Sequence, residues 1–321
     1  MDQDFGRRLA FGTYEDALRM VGAKGEPRAA GTAVSAARIQ LFAAMVRDGN
    51  RSYWDSAFAQ RHWGGLLAPP ALLMGWLIAP PWQPDGRPSA SLIALRVPLP
   101  GTTFINAANE VEFPPPHRRG RRADPGRRAG VGVTGEADPA GRRPLRRDAG
   151  DLSAPGRHGG RHLAEHVVPL HPGAVVVTGA GVDWSRLSVP AELPEVVDHI
   201  SYQRVVENAG ATWDYFPGHF DPDYARAQGN PTIYVNTMHL AGFADRVATE
   251  WAGPRSRVVR RAMRLAGPIY AGDTMIGRGR AVAKRRDTSV DPPRCLVDIE
   301  IEVTNQHGAL CCPVELTVQL P

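Results

Sequence analysis

The sequence predicts an α+β fold, in which a long apolar helix is followed by a run of antiparallel strands. Residues 233–251 have the length and apolar content of a buried helix. After this helix, apolar and polar residues alternate with period two over residues 258–265, 274–284, 295–304 and 311–320. A similar order of helix, turn and second helix occurs earlier in the 321-residue chain, which suggests a duplicated unit. A sheet of four such strands can wrap around its long helix.

The first unit begins with an amphipathic helix that we predict over residues 36–48. The apolar residues on one side of it are Ile39, Leu41, Phe42, Met45 and Val46. Asp48-Gly49-Asn50 predicts a turn, and a short polar helix follows. Trp63-Gly64-Gly65 then leads into an apolar helix over residues 66–77.

The second unit repeats this order closer to the carboxyl end. We predict a helix over residues 202–213, a break at Phe216-Pro217-Gly218, and a short helix over residues 221–227 that begins at an acidic N-cap. Pro231 then precedes the long helix. Turns at residues 270–273, 291–293 and 305–308 separate the four strands.

The positive charge of the chain is concentrated in residues 114–162. This segment holds twelve Arg against five acidic residues, a local balance of +7 within a total of +5, so the rest of the chain is slightly acidic. It also holds ten Gly and seven Pro and lacks Phe, Trp and Tyr, a composition that cannot bury a core. One interpretation of this segment is a basic arm that binds phosphates. Because the segment has no aromatic residues for base stacking, we expect no nucleic-acid partner.

We hypothesise that residues 114–173 are a frameshifted part of the first unit. Reading GC-rich coding sequence out of register yields Arg, Gly, Pro and Ala, which is the composition found here. Codons can be chosen for this segment so that moving the reading frame by one base yields strand-like runs. The sequence of the coding DNA shows whether these codons are present. Loss of these strands is expected to leave the helix at residues 66–77 with an exposed apolar face. Gly130-Val-Gly-Val-Thr-Gly135 matches a dinucleotide-binding pattern but lacks the preceding apolar strand.

We expect a cytoplasmic protein with neither a signal peptide nor a membrane span. The first residues carry acids and lack a sustained apolar core. The longest apolar run, residues 66–82, is interrupted by four prolines and is shorter than the ~20 residues that a membrane helix needs. Cys295, Cys311 and Cys312 are an odd number without CxxC spacing, so the sequence predicts neither a disulfide framework nor a zinc site.

Asp214 and His219 are the candidate catalytic residues. They stand on either side of Pro217-Gly218, where a helix ends, so both side chains can project from one loop into the same space. A carboxylate can hold a water molecule and an imidazole can exchange a proton near neutral pH, which suits the addition of water to a conjugated double bond. Such a pair is also common in structural caps and turns. The surrounding residues therefore decide between a catalytic and a structural role.

These surroundings resemble the MaoC-like (R)-specific enoyl-CoA hydratases and acyl dehydratases over about residues 200–321. The matching motifs are Asp214-Tyr-Phe-Pro-Gly-His219-Phe-Asp-Pro-Asp-Tyr-Ala-Arg226 and Pro268-Ile-Tyr-Ala-Gly-Asp-Thr274. Residues 39–77 are similar to the N-terminal half of two-domain members of this family. The resemblance implies a double hot-dog fold with an incomplete, non-catalytic half over residues 1–113, the irregular segment 114–173, and a catalytic domain over residues 190–321.

The resemblance implies that Asp214 and His219 add water to a trans-2-enoyl thioester or remove it from a 3-hydroxyacyl thioester. Backbone N–H groups around Asn236 and Thr237, at the start of the long helix, would hold the thioester oxygen. Two departures from the family pattern are visible. Phe216 stands where the family has an Asn, and Asn236-Thr237 stand where it has His-Gly.

Other polar residues have weaker functional interpretations. Arg257, Arg260 and Arg261 could meet the phosphates of CoA, although a solvated strand face is an equal alternative. His239, inside the long helix, is predicted to be a hydrogen-bonded core residue. The first-unit counterparts of the catalytic pair would be Asp48 and Tyr53, and Tyr is a poor base near neutral pH, so this half is expected to cover the acyl chain.

The sequence therefore predicts a hydro-lyase that acts on acyl-CoA or acyl-carrier-protein thioesters without a metal or cofactor. A homodimer or a heteromer is expected, without nucleic-acid or membrane partners. A catalytically silent acyl-binding subunit and a hot-dog thioesterase remain alternatives. Hydration of crotonyl-CoA separates the first alternative from the hydratase, and release of free thiol identifies the second.

Overall fold

A computed structural model describes residues 10–21, 33–78, 108–113 and 181–321, together with positions 80, 84 and 98. The hypothesised frameshifted segment, residues 114–173, lies outside the described residues, as does the Gly-rich motif within it. The described residues of both halves belong to one unit.

The described part of the first half contains five short helices and one strand. They are α1 (Tyr14–Leu18), α2 (Ala36–Met45), α3 (Arg51–Trp54), α4 (Ser56–Trp63), α5 (Leu73–Leu77) and β1 (Ala108–Glu112). The side chains of Ser35, Asn50 and Asp55 accept backbone N–H groups at the starts of α2, α3 and α4. Short polar caps therefore fix where these helices begin.

The second half contains three helices and six strands. They are β2 (Ala191–Glu192), β3 (Val196–His199), α6 (Tyr202–Thr212), α7 (Pro222–Ala227), α8 (Thr237–Ala252), β4 (Arg257–Arg264), β5 (Thr274–Asp287), β6 (Arg294–Thr304) and β7 (Leu310–Leu320). Among the described helices of the chain, none has the length and apolar content to cross a membrane.

The strands form an antiparallel sheet in the order β1-β4-β7-β6-β5-β2, and β3 also pairs with β5. In register, Ile299 of β6 faces Leu316 of β7, and both are buried. α8 packs against β4, β5, β6 and β7. At Gly277 of β5 a Cβ atom would lie 2.6 Å from a methyl carbon of Val247, so the close approach of strand and helix depends on this glycine. The predicted α+β arrangement of a long helix against four strands is confirmed.

The predicted start of the long helix is wrong by four residues. α8 begins at Thr237, because the side-chain Oδ1 of Asn236 accepts the backbone N–H of His239 at 3.0 Å and caps the helix there. The preceding residues are extended, and Tyr234 bridges to Tyr270. The carbonyl oxygen of Tyr234, in this short extended stretch, lies 2.7 Å from Nδ1 of His219.

The expected helix over residues 66–77 and its exposed apolar face are both wrong. Pro69 and Pro70 replace its first part with a 3-10 turn, Pro70–Leu72, and only α5 is helical beyond it. Leu72 is fully buried because the turn packs against α8, and Trp76 of α5 is 3% exposed. The first half therefore covers α8 on the side that the sheet leaves open.

The buried face of α2 also differs from the prediction. Leu41, assigned to the apolar side, is 51% exposed, whereas Arg38 is buried. Gly242 of α8 allows the close contact, since a Cβ there would lie within 2.9 Å of Phe42 and Val46. The two halves therefore meet at a close helix contact with a buried guanidinium beside it.

A buried carboxylate ties the two halves together. Asp198 of β3 is 1% exposed and pairs with Arg204 of α6 at 2.5 Å, with Arg47 after α2 at 3.0 Å, and with Arg246 of α8 at 3.6 Å. Arg204 also donates to the carbonyl oxygen of Met45. One carboxylate therefore joins three cations that come from both halves.

Candidate active site

A loop after α6 places Asp214 and His219 side by side. Trp213 ends α6 in the left-handed conformation, with φ of 61°, and this turns the chain out of the helix. A 3-10 turn, Pro217–His219, then brings the imidazole back toward Asp214. Oδ2 of Asp214 lies 3.6 Å from Nε2 of His219.

The imidazole of His219 is fixed by a backbone carbonyl. Its Nδ1 lies 2.7 Å from the carbonyl oxygen of Tyr234, in the extended stretch before α8. Because a carbonyl oxygen only accepts, Nδ1 carries a hydrogen and donates it. Nε2, which faces Asp214, is therefore the atom that takes up or releases a proton.

Asn236 holds Asp214 in place. Its Nδ2 donates to Oδ2 of Asp214 at 3.2 Å and to Oγ1 of Thr212 at 2.8 Å. Its Oδ1 accepts the backbone N–H of His239 and caps α8, so both the oxygen and the nitrogen of the amide form hydrogen bonds. An amide thus reaches Asp214 from the helix start, although Phe216 occupies the position where the family pattern has an Asn.

Phe216 gives the site an apolar wall. Its ring stands edge-on to His219, with ring centres 5.6 Å apart, and edge-on to Tyr224 at 5.5 Å. Gly218 allows this packing, since a Cβ there would lie 2.5 Å from the hydroxyl of Tyr234. The imidazole is consequently 8% exposed, which limits the access of bulk water to it.

Arg38, from the first half, contacts the residues that lead into the loop of Asp214 and His219. Its Nη2 donates to the carbonyl oxygen of Gly75 at 2.7 Å and to that of Thr212 at 3.3 Å. Its guanidinium carbon lies 4.6 Å from the ring centre of Trp76 and 4.0 Å from that of Trp213. Such contacts are strongest when they are desolvated. Sequence reasoning missed Arg38; the available signal was a basic residue next to the apolar positions of the predicted helix.

Thr237 is the first residue of α8 and follows Asn236 directly. The first N–H groups of an α-helix have no acceptor within the helix, and the helix dipole places partial positive charge there. These backbone groups stand beside the residue that contacts Asp214. Their position suits an oxygen that gains negative charge close to the Asp214/His219 pair.

The three arginines with a predicted phosphate role do not share an exposed face. Arg261 is 3% exposed and donates to both carboxylate oxygens of Asp245 at 2.5 and 2.7 Å. Arg257 is 7% exposed. Arg260, on the other side of β4, pairs with Glu110 at 2.7 Å. Only Arg260 has a side chain that is partly exposed, so the geometry favours structural roles for the other two.

The first-half counterparts of the pair, Asp48 and Tyr53, lie in the core. Oδ1 of Asp48 accepts the backbone N–H of Asn50 at 2.9 Å, and burial raises the pKa of Asp48 to about 7. Burial, together with the nearby Asp48 carboxyl, also raises the pKa of Tyr53 well above its ordinary value. Both residues pack beside Asp245 and Gly242 of α8. A phenol buried in this way is not equipped to act as a base near neutral pH.

The raised pKa of Asp48 predicts a loss of stability as the pH rises. The unfolded chain releases this proton near the ordinary value of 3.8 and the folded protein near 7, so the free energy of unfolding falls between about pH 4 and pH 7. Burial dominates the shift; Asn50 and Arg246 oppose it, and Glu250 and Asp245 add to it.

We therefore expect Asp48→Asn to be more stabilising at pH 8 than at pH 5, as measured by urea unfolding at both values. Asp223→Asn, at a carboxylate that is 91% exposed, is the control and should show no such difference. A gain from Asp48→Asn that is equal at both pH values would contradict this role of Asp48.

His239 is a core residue, as predicted, but among the described residues its ring lacks the hydrogen bond that was also expected. It is fully buried within α8, and burial together with Arg204 lowers its pKa to about 3. Among the described residues neither ring nitrogen has a hydrogen-bond partner. His239 therefore remains neutral at ordinary pH.

Part of this sequence is similar to a known protein family and to a known protein. Residues 192–291 match the family model of the MaoC like domain. The 3-oxo-4,17-pregnadiene-20-carboxyl-CoA hydratase beta subunit of Mycobacterium tuberculosis (strain ATCC 25618 / H37Rv) is 38% identical over 95 residues, which cover 30% of this chain and 74% of that protein.

Two solved structures are similar to this chain. A MaoC-like dehydratase matches with a TM-score of 0.60 and 18% identity, covering 95% of this chain and 100% of that one. A chain of the ChsH1-ChsH2 complex from Mycobacterium tuberculosis is 30% identical, with a TM-score of 0.37, over 42% of this chain and 98% of that one. The expected α+β hot-dog fold is confirmed.

Proposed function

The chain belongs to the MaoC-like family of hydratases and dehydratases, and we propose that it adds water reversibly to trans-2-enoyl thioesters. The observation that carries this proposal is the Asp214/His219 pair, whose facing atoms Oδ2 and Nε2 are 3.6 Å apart. This distance exceeds a direct hydrogen bond, yet one water oxygen can lie about 2.8 Å from both atoms. The pair is therefore spaced to hold the water that reacts.

The steps follow from the fixed orientation of the two side chains. The water oxygen bonds to C3 of the enoyl group while the pair takes its proton, with Nε2 of His219 as the exchanging atom. The electron pair of the double bond moves toward the thioester oxygen. The pair then returns a proton to C2, so that one water molecule is added and both residues regain their starting state. Dehydration of a 3-hydroxyacyl thioester is the same sequence in reverse.

The start of α8 would stabilise the developing enolate. Backbone N–H groups at Thr237 can donate to the thioester oxygen, where the helix dipole also favours negative charge. Asn236 is a positioning residue in this scheme, because its amide hydrogens go to Asp214 and Thr212. The wall formed by Phe216 keeps the pair partly desolvated, which strengthens these interactions.

The family and the relatives support a proposal for the substrate and the assembly. We propose an acyl thioester of CoA or of an acyl carrier protein as substrate. Since the relative that is 38% identical is a beta subunit, we propose that this chain works with a second subunit or with a second copy, in the cytoplasm. Residues 190–321 would form the catalytic domain, while the first half would cover the acyl chain. We propose Arg260, whose side chain is partly exposed, as the arginine that meets a phosphate of the carrier.

Hydration of crotonyl-CoA by the purified chain tests the proposal. We expect the enoyl-thioester absorbance to fall without release of free thiol, because water adds to the double bond and the thioester stays intact. The released thiol is followed in the same samples with a thiol reagent. Thiol release that accompanies the loss of absorbance would instead indicate a thioesterase. Unchanged absorbance and unchanged thiol, with demonstrated thioester binding, would indicate a silent acyl-binding subunit.

A further inference from the structure

The loop that carries Asp214 begins at a residue with a strained backbone. Trp213, directly before Asp214, has a φ of 61°, in the left-handed region. Helices often end with one residue in this conformation, and that residue is usually Gly and sometimes Asn. A residue with a large side chain keeps this conformation only when the surrounding structure holds it. The contacts around Trp213 therefore bear directly on the position of Asp214.

The first half supplies such contacts through Arg38. This residue is 7% exposed, and its guanidinium carbon lies 4.0 Å from the ring centre of Trp213. Its Nη2 donates at 3.3 Å to the carbonyl oxygen of Thr212, which belongs to the peptide group that precedes Trp213. One buried cation therefore contacts both the ring and the preceding peptide group of the strained residue.

The packing of α5 keeps Arg38 in this position. Nη2 of Arg38 also donates to the carbonyl oxygen of Gly75 at 2.7 Å, and the guanidinium carbon lies 4.6 Å from the ring centre of Trp76. A Cβ atom at Gly75 would lie 3.1 Å from the carbonyl oxygen of Thr212. The guanidinium is consequently enclosed by two carbonyl oxygens and two indole rings, one of each from either half.

Thr212 connects these contacts to the carboxylate of Asp214. Its Oγ1 accepts Nδ2 of Asn236 at 2.8 Å, and the same nitrogen donates to Oδ2 of Asp214 at 3.2 Å. The backbone N–H of Asp214 also donates to Oγ1 of Thr212, at 3.4 Å. A displaced Thr212 would therefore change the distance from Oδ2 of Asp214 to Nε2 of His219, which is 3.6 Å.

We propose that Arg38 is a positioning residue for the hydration reaction, a role that rests on the proposed function of Asp214 and His219. Arg38 holds the left-handed turn at Trp213, and this turn keeps the carboxylate at a distance from the imidazole that one water molecule can bridge. A displacement of about 1 Å at a reacting centre can lower a rate by about 100-fold. The first half then takes part in forming the active site, although its own counterpart pair lacks a base.

Arg38→Met tests this role through the separate responses of kcat and KM. Met keeps an unbranched side chain between the two indole rings but removes the charge and the donors. We expect kcat for crotonyl-CoA to fall by about tenfold or more. KM should change by less than about twofold, because the backbone groups proposed to hold the thioester oxygen lie at the start of α8. Arg38→Lys keeps a cation and a donor, so it should recover part of the lost kcat.

Arg51→Met is the matched control in the first half. The guanidinium carbon of Arg51 also lies over an aromatic ring, 4.6 Å from the ring centre of Phe58, and its Nη2 pairs with Asp55 at 2.6 Å. These partners belong to α4 and its cap, so the variant should keep the wild-type kcat. Thermal unfolding of each variant identifies a temperature at which all of them are folded.

Trp213→Gly separates a positioning role from a general loss of stability. Gly adopts a positive φ without strain, so the turn should depend much less on Arg38. We expect Arg38→Met to lower kcat by about twofold at most when it is combined with Trp213→Gly. A purely structural role of Arg38 would instead give the same fold-loss in both backgrounds.

Amide hydrogen exchange measures the effect on the loop in the absence of any reaction. The backbone N–H groups of His219 and Phe220 donate to the carbonyl oxygens of Phe216 and Pro217 within the 3-10 turn. We expect these amides to exchange about tenfold faster in Arg38→Met than in the wild-type chain, with β6 and β7 unchanged. If Arg38→Met does not fold, Arg38→Lys takes its place in each comparison.

The two kinds of measurement distinguish a failure of this role from a failure of the proposed function. A wild-type chain that does not hydrate crotonyl-CoA would contradict the proposed function, and the exchange comparison would still show whether Arg38 holds the loop. Unchanged exchange of the loop in the Arg38 variant would overturn the inference. A wild-type kcat in Arg38→Met, or an equal fold-loss with and without Trp213→Gly, would also overturn it.

Discussion

Asp214→Asn is expected to lower the hydration of crotonyl-CoA by at least about 100-fold, because a neutral amide cannot stabilise the imidazolium that forms when Nε2 of His219 takes the proton of the reacting water. His219→Ala should cause a loss of similar size, since Nε2 is the exchanging atom of the pair. The shape at Asp214 is conserved in the Asn variant, and the Asn236 amide still finds an acceptor there. The loss should therefore appear in kcat with little change in the melting temperature. Initial rates and thermal unfolding of each variant provide both measurements.

Two matched variants separate chemistry from general damage. Asp223→Asn changes an exposed carboxylate in the helix that follows the catalytic loop, and His307→Ala changes an exposed histidine in a turn between strands. Both are expected to keep wild-type rates. His219→Gln keeps much of the side-chain volume and should still be inactive. Turnover near the wild-type level in Asp214→Asn or His219→Ala would place the active site elsewhere.

Asp198→Ala is expected to destabilise the chain by about 3–5 kcal/mol, because it leaves buried cations without their shared carboxylate. The side chains of Arg204 and Arg246 are 7% and 13% exposed, so water cannot replace the lost anion effectively. Arg47, at 51% exposed, should contribute little to the loss. Urea unfolding provides the measurement, with the midpoint and the slope fitted separately.

Glu195→Ala is the control for this prediction. Glu195 lies close to Asp198 in the chain and pairs with Arg278 at 2.6 Å, but the two side chains are 45% and 58% exposed. Exposed ion pairs contribute about 0–1 kcal/mol, so this variant should be near neutral. Equal, small losses for both variants would mean that the Asp198 cluster does not hold the halves together.

The four C-terminal strands could be predicted from sequence because each has one buried face and therefore alternates. β3 could not be predicted in this way, although it alternates between buried and exposed residues. Its buried residues are Val196 and a charged Asp198, while the apolar Val197 is 52% exposed. A hydropathy pattern assigns such a strand to the wrong face, since the ion pairs that justify a buried Asp come from distant residues.

The part of the candidate site that lies on one loop could be predicted from the local sequence. Asp214 and His219 are five residues apart on one loop, so their proximity follows from the turn between them. The roles of Asn236 and Arg38 depend on contacts across the fold. Asn236 reaches Asp214 over 22 positions, and Arg38 reaches Thr212 over 174. Periodicity carries no information about such polar contacts.

Hydration carried out in water labelled with heavy oxygen tests the central claim most directly. Mass spectrometry of the CoA product should show an intact thioester that has gained one labelled water, with the heavy oxygen in the new hydroxyl at C3. The same reaction with Asp214→Asn should show almost none of this product. Heavy oxygen found in a released carboxylate, or equal labelling of C3 by the wild-type chain and by Asp214→Asn, would contradict water addition by the Asp214/His219 pair.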